Sequence, residues 1–338
     1  MKKDVKKWLK DMLSDKEKKA MPILSFPCIS LMNIDVKELI SSADLQAEGM
    51  RLITEREPTA ASVSLMDLSL EAECFGSEIR VSKDEVPTVV GSVVSSEAEA
   101  EALQVPEIGA GRTSIYIEAI QKASQMITDR PVFAGVIGPF SLSGRLMDVT
   151  RTMLFCYDEP DMVHMVLAKA TEFLIKYINA YKEVGADGVL IAEPLAGLLS
   201  PSLAKEFSAD YVKTIVSAVA DDDFIVLYHN CGNGTPQQID SIVDTGASVL
   251  HFGNSVSMTD ILEKVPENIL VMGNIDPAGE FRNGTPESIN KAVKELMKKC
   301  SKYNNFVISS GCDIPPMSPW ENIDAFFKAV DEFYKEMR

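Results

Sequence analysis

Glu183-Val-Gly-Ala-Asp-Gly-Val-Leu-Ile-Ala-Glu-Pro194 is the stretch whose reading decides the fold. Its centre, Gly188–Ala192, is a continuous apolar run of strand length. It follows the amphipathic helical pattern of Asp161–Glu183 and stops on Glu193-Pro194, ahead of the helical pattern of Pro201–Val219. A strand that is apolar at successive residues is buried on both faces, as in a parallel sheet covered by helices. The same unit recurs along the chain. Strands are expected at Ile23–Ile29, Ala61–Leu68, Val132–Ile137, Phe224–Tyr228, Ser248–Phe252, Ile269–Met272 and Phe306–Ile308, with further helices at Pro286–Lys302 and Pro319–Glu336. Eight such units in 338 residues predict an α/β fold of the (β/α)8 TIM barrel type, with an open doubly wound sheet as the alternative. No Gly-x-Gly-x-x-Gly follows the first strand, which argues against a dinucleotide-binding sheet. The expected organisation is an N-terminal helical extension over residues 1–20 and a single barrel domain over 21–338, with an irregular insertion near 71–94.

Composition narrows the partners. With 46% hydrophobic and 25% charged residues the chain reads as an ordinary globular protein. A formal net charge of −17 argues against nucleic acid or an anionic membrane as partner. Only the first twenty residues run the other way, with Lys2, Lys3, Lys6, Lys7, Lys10, Lys16, Lys18 and Lys19 facing four acids. They read as an amphipathic helix laid on Val5, Trp8, Leu9, Met12 and Leu13, or as a docking patch for an acidic partner. The amino terminus lacks the apolar core of a secretory signal, and no apolar run reaches the ~18 residues of a membrane span. Six cysteines do not make a disulfide framework in a chain of this length, so the expected compartment is the reducing cytoplasm.

Barrel enzymes carry reactive groups where strands end. His229-Asn230-Cys231 follows the fifth expected strand and Cys312 the eighth, so one barrel mouth can gather all three. One imidazole and two thiolates are the donors of a zinc site with an open fourth position. The alternative is a buried polar cluster without metal. Glu193 and His251 also end strands and are candidate catalytic groups: Glu193 as fourth ligand, ligand-orienting group or helix cap, His251 as ligand, proton carrier or hydrogen-bond partner. Asn274 and Asp276 are expected to orient ligands or bind substrate, and Met317 to line the pocket. Cys28, Cys74, Cys156 and Cys300 read as small buried hydrophobes.

At these residues the chain resembles the uroporphyrinogen decarboxylase superfamily, in particular its cobalamin-dependent methyltransferase branch. The resemblance spans nearly the whole chain and is clearest in Glu183–Pro194, in His229-Asn-Cys-Gly-Asn233 and in Ser310-Gly-Cys-Asp-Ile-Pro-Pro-Met-Ser-Pro-Trp-Glu-Asn322. That branch has a His-x-Cys-Gly-Asn loop and a late Gly-Cys-Gly-x-x-Pro-Met-x-Pro loop. The resemblance implies a barrel fold, zinc on His229, Cys231 and Cys312, and an acidic residue at Glu193. Asp313 stands where the late loop of the pattern has glycine and alters the pocket beside the metal. The decarboxylases bind their acidic porphyrinogen through an arginine-bearing stretch near the first strand, and Ile23–Asn33 contains no arginine. The implied activity is zinc-dependent methyl transfer between a corrinoid carried by a partner protein and a small substrate. A thiol acceptor stands ahead of O-demethylation; a metal-free lyase and a non-catalytic zinc-binding protein are the other readings.

Overall fold

A computed structural model of the protein describes residues 3–338; Met1 and Lys2, the first residues of the expected extension, lie outside the described residues. The strands in chain order are β1 (Ser62–Val63), β2 (Glu78–Arg80), β3 (Thr88–Val90), β4 (Val132–Ile137), β5 (Gly188–Ala192), β6 (Ile225–Asn230), β7 (Val249–Phe252), β8 (Leu270–Ile275) and β9 (Phe306–Ser310). Seven of them form one parallel sheet in the order β1-β4-β5-β6-β7-β8-β9. β2 and β3 form a separate antiparallel hairpin within residues 71–94, a stretch whose sequence reads as irregular. The curled sheet, with helices packed outside it, is the α/β barrel expected from the chain.

The expected first strand, Ile23–Ile29, is displaced and irregular. Backbone hydrogen bonds run instead on either side of residues 20–23: Met21 N–H donates to Ile308 O on β9 (3.1 Å), and Ala60 N–H donates to Ala20 O just ahead of β1 (2.9 Å). This segment bridges the gap between β9 and β1. It cannot form a full ladder, because Pro22 has no N–H to give and Ile23 N–H goes to the Ser310 hydroxyl (3.0 Å) rather than to a carbonyl. The chain then turns at Pro27 into the helix Cys28–Met32. β1 is shortened for a similar reason, since the Ser64 hydroxyl accepts the Gly135 N–H (2.9 Å) in place of a ladder carbonyl.

Alternation along each strand separates two apolar layers. Inward residues such as Phe133, Leu190, Leu227, Val249, Met272 and Val307 fill the barrel, while Val136, Ile191, Val226, Leu250 and Ile308 pack outward beneath the helices. The helix Val5–Ser14, capped by Asp4 accepting from Lys7 N–H (2.8 Å), belongs to the inner layer. Its Val5 and Met12 are buried there, with Trp8, Leu9 and Leu13 against them. Trp8 donates its indole N–H to Ala60 O (3.0 Å) and meets the Phe133 ring edge-on at 5.5 Å. Phe133 lies at the start of β4, so this helix stops the end of the barrel opposite the strand C-termini. Its lysines reach outward, Lys6 to Asp222 and Lys7 to Asp11.

Outside, the helix Pro160–Glu183 leads into β5, and Pro286–Cys300 and Trp320–Met337 flank β9. Between β5 and β6 a π-helical turn, Lys205–Ala209, joins Pro201–Ala204 to Asp210–Val219 and buries Ser208. Such single turns interrupt a helix to redirect one side chain. Among the described residues no helix is long and apolar enough to cross a membrane.

The stopper helix should matter to stability. Trp8→Ala is expected to lower the unfolding free energy by about 2–3 kcal/mol, less than a fully buried tryptophan because part of the ring is exposed. Urea denaturation would show this as a lower midpoint with an unchanged slope; an unmoved midpoint would mean that the helix adds nothing to the core.

Candidate functional site

Strand parity places the site residues. On β6, Ile225 and Leu227 point into the barrel, so His229 does too; on β7, Val249 is followed by an inward His251; on β9, Val307 is followed by an inward Ser309. Ladder register sets Ala192, His229 and His251 side by side. Three hydrogen bonds then run across the strand ends: His229 Nδ1 to His251 Nδ1 (2.8 Å), His251 Nε2 to Ser309 Oγ (2.8 Å), and Ser309 Oγ to Met21 O (2.7 Å).

The last of these assigns all the others. A carbonyl oxygen only accepts, so the single Ser309 proton goes to Met21. Ser309 must then accept from His251 Nε2–H, which leaves His251 Nδ1 as the acceptor for His229 Nδ1–H. Burial, and then the neighbouring His229, hold the His251 pKa well below its ordinary value, in keeping with a neutral ring. His229 is therefore presented as the tautomer with a bare Nε2 lone pair. That nitrogen is buried and has no hydrogen-bond partner among the described residues.

Cys231 and Cys312 supply what faces it. Donor atoms of His229, Cys231 and Cys312 all lie within 4.8 Å of one another. A side chain at Gly253 would put its Cβ 2.6 Å from Cys231 Cα, so a glycine there is what lets the β7 loop pass behind the cysteine. That loop is pinned by Asn274, whose amide donates to Gly253 O (2.8 Å) and Val256 O (2.9 Å), and by Ser255 Oγ donating to Cys231 O (2.8 Å). Both thiols are free, and the hydrogen bond between them lowers the Cys231 pKa and, together with burial, pushes Cys312 up to about 12. Two soft sulfurs and a bare imidazole nitrogen converging at this spacing fit a zinc ion, the borderline-soft metal that such donors favour. Cys28, Cys74, Cys156 and Cys300 are not among these converging donors, and burial raises the pKa of each.

The other sequence candidates scatter. Glu193 follows Val189 and Ile191 in parity and so points out of the barrel. Its oxygens accept from Phe140 N–H (3.0 Å), Ser141 N–H (2.6 Å) and Ser208 Oγ (3.3 Å), which seats it at the N-terminus of the helix Pro139–Met147. Burial raises it to about 7 despite those donors. Asp276 accepts from Ala278 and Gly279 N–H (2.9 and 2.8 Å) and caps its own turn. Met317 is 52% exposed and lies off the cavity wall. Asp313 does line the cavity, a space of about 60 Å³ whose walls include Ile23, Met66, Leu68, Ala192, Pro194, His229 and Cys312.

One buried group went unread in the sequence. Asp67 accepts from Arg112 (2.6 Å) and from Tyr116 Oη (2.8 Å), and Arg112 also binds Glu73 (2.7 Å). Beside it Glu71 accepts from Ile137 N–H (3.1 Å) at the end of β4, while its second oxygen is buried without a partner. Burial pushes the Glu71 carboxyl up to about 8. The available signal was three acids among the mainly apolar residues of Leu65–Cys74, which reads as the start of an insertion instead.

Comparison with known proteins places this geometry. The family model described as uroporphyrinogen decarboxylase (URO-D) matches residues 3–333. The uroporphyrinogen decarboxylase of Coxiella burnetii is 28% identical over 302 residues, covering 86% of this chain and 82% of its own. A methylcobamide:CoM methyltransferase of Methanosarcina acetivorans is 29% identical over 301 residues, covering 86% of each chain. Among solved structures a methyltransferase from Methanosarcina mazei superposes with a TM-score of 0.85 at 26% identity, covering 98% of this chain and 99% of its own. A B12-independent methionine synthase from Shewanella, at 12% identity and a TM-score of 0.61, shares the fold.

The buried acids make stability depend on pH. Glu71 and Glu193 have folded pKa values of about 8 and about 7 against an ordinary 4.5, so the native state keeps protons that the unfolded chain releases. Their contribution is greatest below pH 4.5, falls as pH rises through 7 and 8, and is flat above. Between pH 5 and pH 8.5 the metal-free protein is expected to lose on the order of a few kcal/mol. Glu71→Gln should flatten much of that fall in thermal melts across the range, whereas an unchanged slope would show that Glu71 is ionised in the fold.

Proposed function

The chain belongs to the uroporphyrinogen decarboxylase family, and within it we propose that the protein is a zinc-dependent methyltransferase working between a corrinoid carried by a partner protein and a small substrate, with a thiol as the favoured acceptor. The observation that carries this reading is the bare, buried Nε2 of His229 facing the thiols of Cys231 and Cys312. A decarboxylase acting on a polycarboxylate has no use for such a donor set, and among the described residues no lysine or arginine lines the cavity to receive one. The methylcobamide:CoM methyltransferases among its relatives support the same direction.

In this reading His229, Cys231 and Cys312 hold the zinc. Bound there, zinc supplies a charge that stabilises a thiolate substrate while the two cysteine sulfurs keep that thiolate electron-rich. The chain does the rest. Ser309 and Met21 hold His251 in one tautomer, and His251 in turn orients His229. Glu193 anchors the helix Pro139–Met147 at the edge of the mouth. The apolar walls at Met66, Leu68 and Pro194 exclude water from the methyl group in transit. The corrinoid domain docks over the same mouth, the face on which the strand C-termini lie.

Two measurements test the proposal. Purified protein is expected to hold about one zinc per chain, to lose most of it in Cys231→Ala or Cys312→Ala, and to bind it about 10–100-fold more weakly in His251→Phe. A Cys231→Ala/Cys312→Ala double variant with full zinc content would overturn the ligand set. Zinc-loaded protein should also demethylate methylcobalamin when a suitable small thiol is added, and the double variant should lose that activity at least about a hundredfold. Turnover of methoxy compounds with a Co(I) corrinoid, and none with any thiol, would reverse the direction assigned.

A further inference from the structure

We propose that the turn at residues 253–256, gripped by Asn274, is a rigid spacer that sets the separation of Cys231 and Cys312 and thereby decides which ion they accept. This rests on the zinc-binding reading and deepens it. The two cysteines leave strands that are not neighbours. β7 and β8 lie between β6 and β9, so no ladder hydrogen bond relates one cysteine to the other. The turn at the end of β7 fills that interval. On one side Gly253 N–H donates to Asn230 O (3.0 Å) and Ser255 Oγ to Cys231 O (2.8 Å), which ties the turn to the Cys231 backbone at two points. On the other side Asn254 meets Gly311, the residue before Cys312, where an added Cβ would stand 2.7 Å from Asn254 N. Neither Gly253 nor Gly311 has a positive φ, so space alone bars a side chain at either contact.

Asn274 fixes the spacer from β8. Its amide donates to Gly253 O (2.8 Å) and Val256 O (2.9 Å), and Val256 N–H closes the turn on Gly253 O (3.4 Å). Both acceptors are carbonyls, so the amide nitrogen has to face them and both of its protons are used. One side chain thus holds both ends of the turn, while the turn presses on both cysteine loops. Asn274 is neither one of the metal donors nor part of the cavity wall, so it is a positioning residue that acts through the turn. Zinc–thiolate bonds of about 2.3 Å in a tetrahedron put two sulfurs about 3.8 Å apart. A larger soft ion puts them further apart, so the thickness of the spacer bears directly on which ion fits. Here the donor atoms of His229, Cys231 and Cys312 are kept within 4.8 Å of one another, a spacing from which zinc can gather all three.

Metal binding to the full chain tests this, with zinc, cadmium and cobalt affinities measured by competition with a chromophoric chelator. The thiolate-to-cobalt absorption reports how many sulfurs reach the ion. Asn274→Asp keeps the shape of the side chain but sets a carboxylate oxygen against two carbonyls. It is expected to weaken zinc binding about 10–100-fold and to diminish the cobalt absorption. Ser255→Ala removes only the tie to Cys231 O and should cost about fivefold, the worth of one hydrogen bond. Gly311→Ala thickens the spacer and should raise the cadmium-to-zinc affinity ratio about tenfold. Asn305→Asp is the control. Its amide grips Pro266 O (3.4 Å) and Ile269 O (3.0 Å) in the same way, at the start of β9 and so at the end of the barrel opposite the mouth. That variant should leave zinc affinity and the cobalt absorption unchanged. Equal zinc loss in Asn305→Asp and Asn274→Asp, or zinc affinity unmoved by both Asn274→Asp and Ser255→Ala, would overturn the spacer. So would an unchanged cadmium-to-zinc ratio in Gly311→Ala, or an unaltered protein that binds none of the three ions. Zinc lost in Cys231→Ala but unmoved in Asn274→Asp removes the spacer alone and leaves the zinc-binding reading intact. The expected metal effects in a protein that moves no methyl group to or from a corrinoid would remove the methyltransferase reading and leave the spacer standing.

Discussion

Everything at this site depends on the two-residue alternation of parallel strands in a closed barrel. Each strand sends successive side chains to opposite faces, and register between neighbours aligns their ends. His229, His251 and Ser309 are inward by that rule, and the pairing of β5, β6 and β7 sets Ala192, His229 and His251 level with one another. One slipped residue on β6 would send His229 under the helices and bring Asn230 inward. The packed layers of Leu227, Val249, Met272 and Val307 below the mouth hold the register, since any slip would expose them on the wrong face.

The same alternation separates two polar networks that the sequence would place in one mouth. Inward lies the file Met21–Ser309–His251–His229, whose direction is imposed by a backbone carbonyl that cannot donate. Outward lies Glu193 with the Phe140 and Ser141 amides and the Ser208 hydroxyl. A buried carboxyl beside a helix N-terminus is stabilised by the amides it caps, and is tolerated in a helix-facing layer only because each oxygen has a donor. The π-helical turn at Lys205–Ala209 brings Ser208 to one of them. The first network leaves His229 Nε2 bare; the second holds the helix Pro139–Met147 in place.

Charge distribution completes the picture. Arg112, near the mouth, is paired with Asp67 and Glu73, while Lys6 and Lys7 of the stopper helix sit at the opposite end of the barrel. The cavity is lined by apolar walls with the Cys312 thiol, the His229 imidazole and the Asp313 carboxyl. Such a lining suits the handling of a methyl group, which has no charge to recognise and moves between soft partners only where water is kept out.

Much of this was legible in residue order. Continuous apolar runs between helical patterns determine a covered parallel sheet, and β4 and β5 fall on Val132–Ile137 and Gly188–Ala192 as expected. Ile23–Ile29 misled because Pro22 and Pro27 deny it donors, so its neighbours hydrogen-bond around it instead of along it. His229, Cys231 and Cys312 could be grouped because barrels gather strand ends. By itself, then, the sequence determined the class of fold and the chemistry of its donors, both of which follow from residue type and local period. The tertiary structure alone decided which candidates share a cavity. Glu193 and Pro194 are neighbours in the chain, yet the pleat turns the Glu193 carboxyl to the helices while Pro194 lines the cavity. Ser309 gains its role only because closure of the barrel lays Met21 beside β9. Facing and closure arise from contacts between distant segments, and no short stretch of sequence contains them.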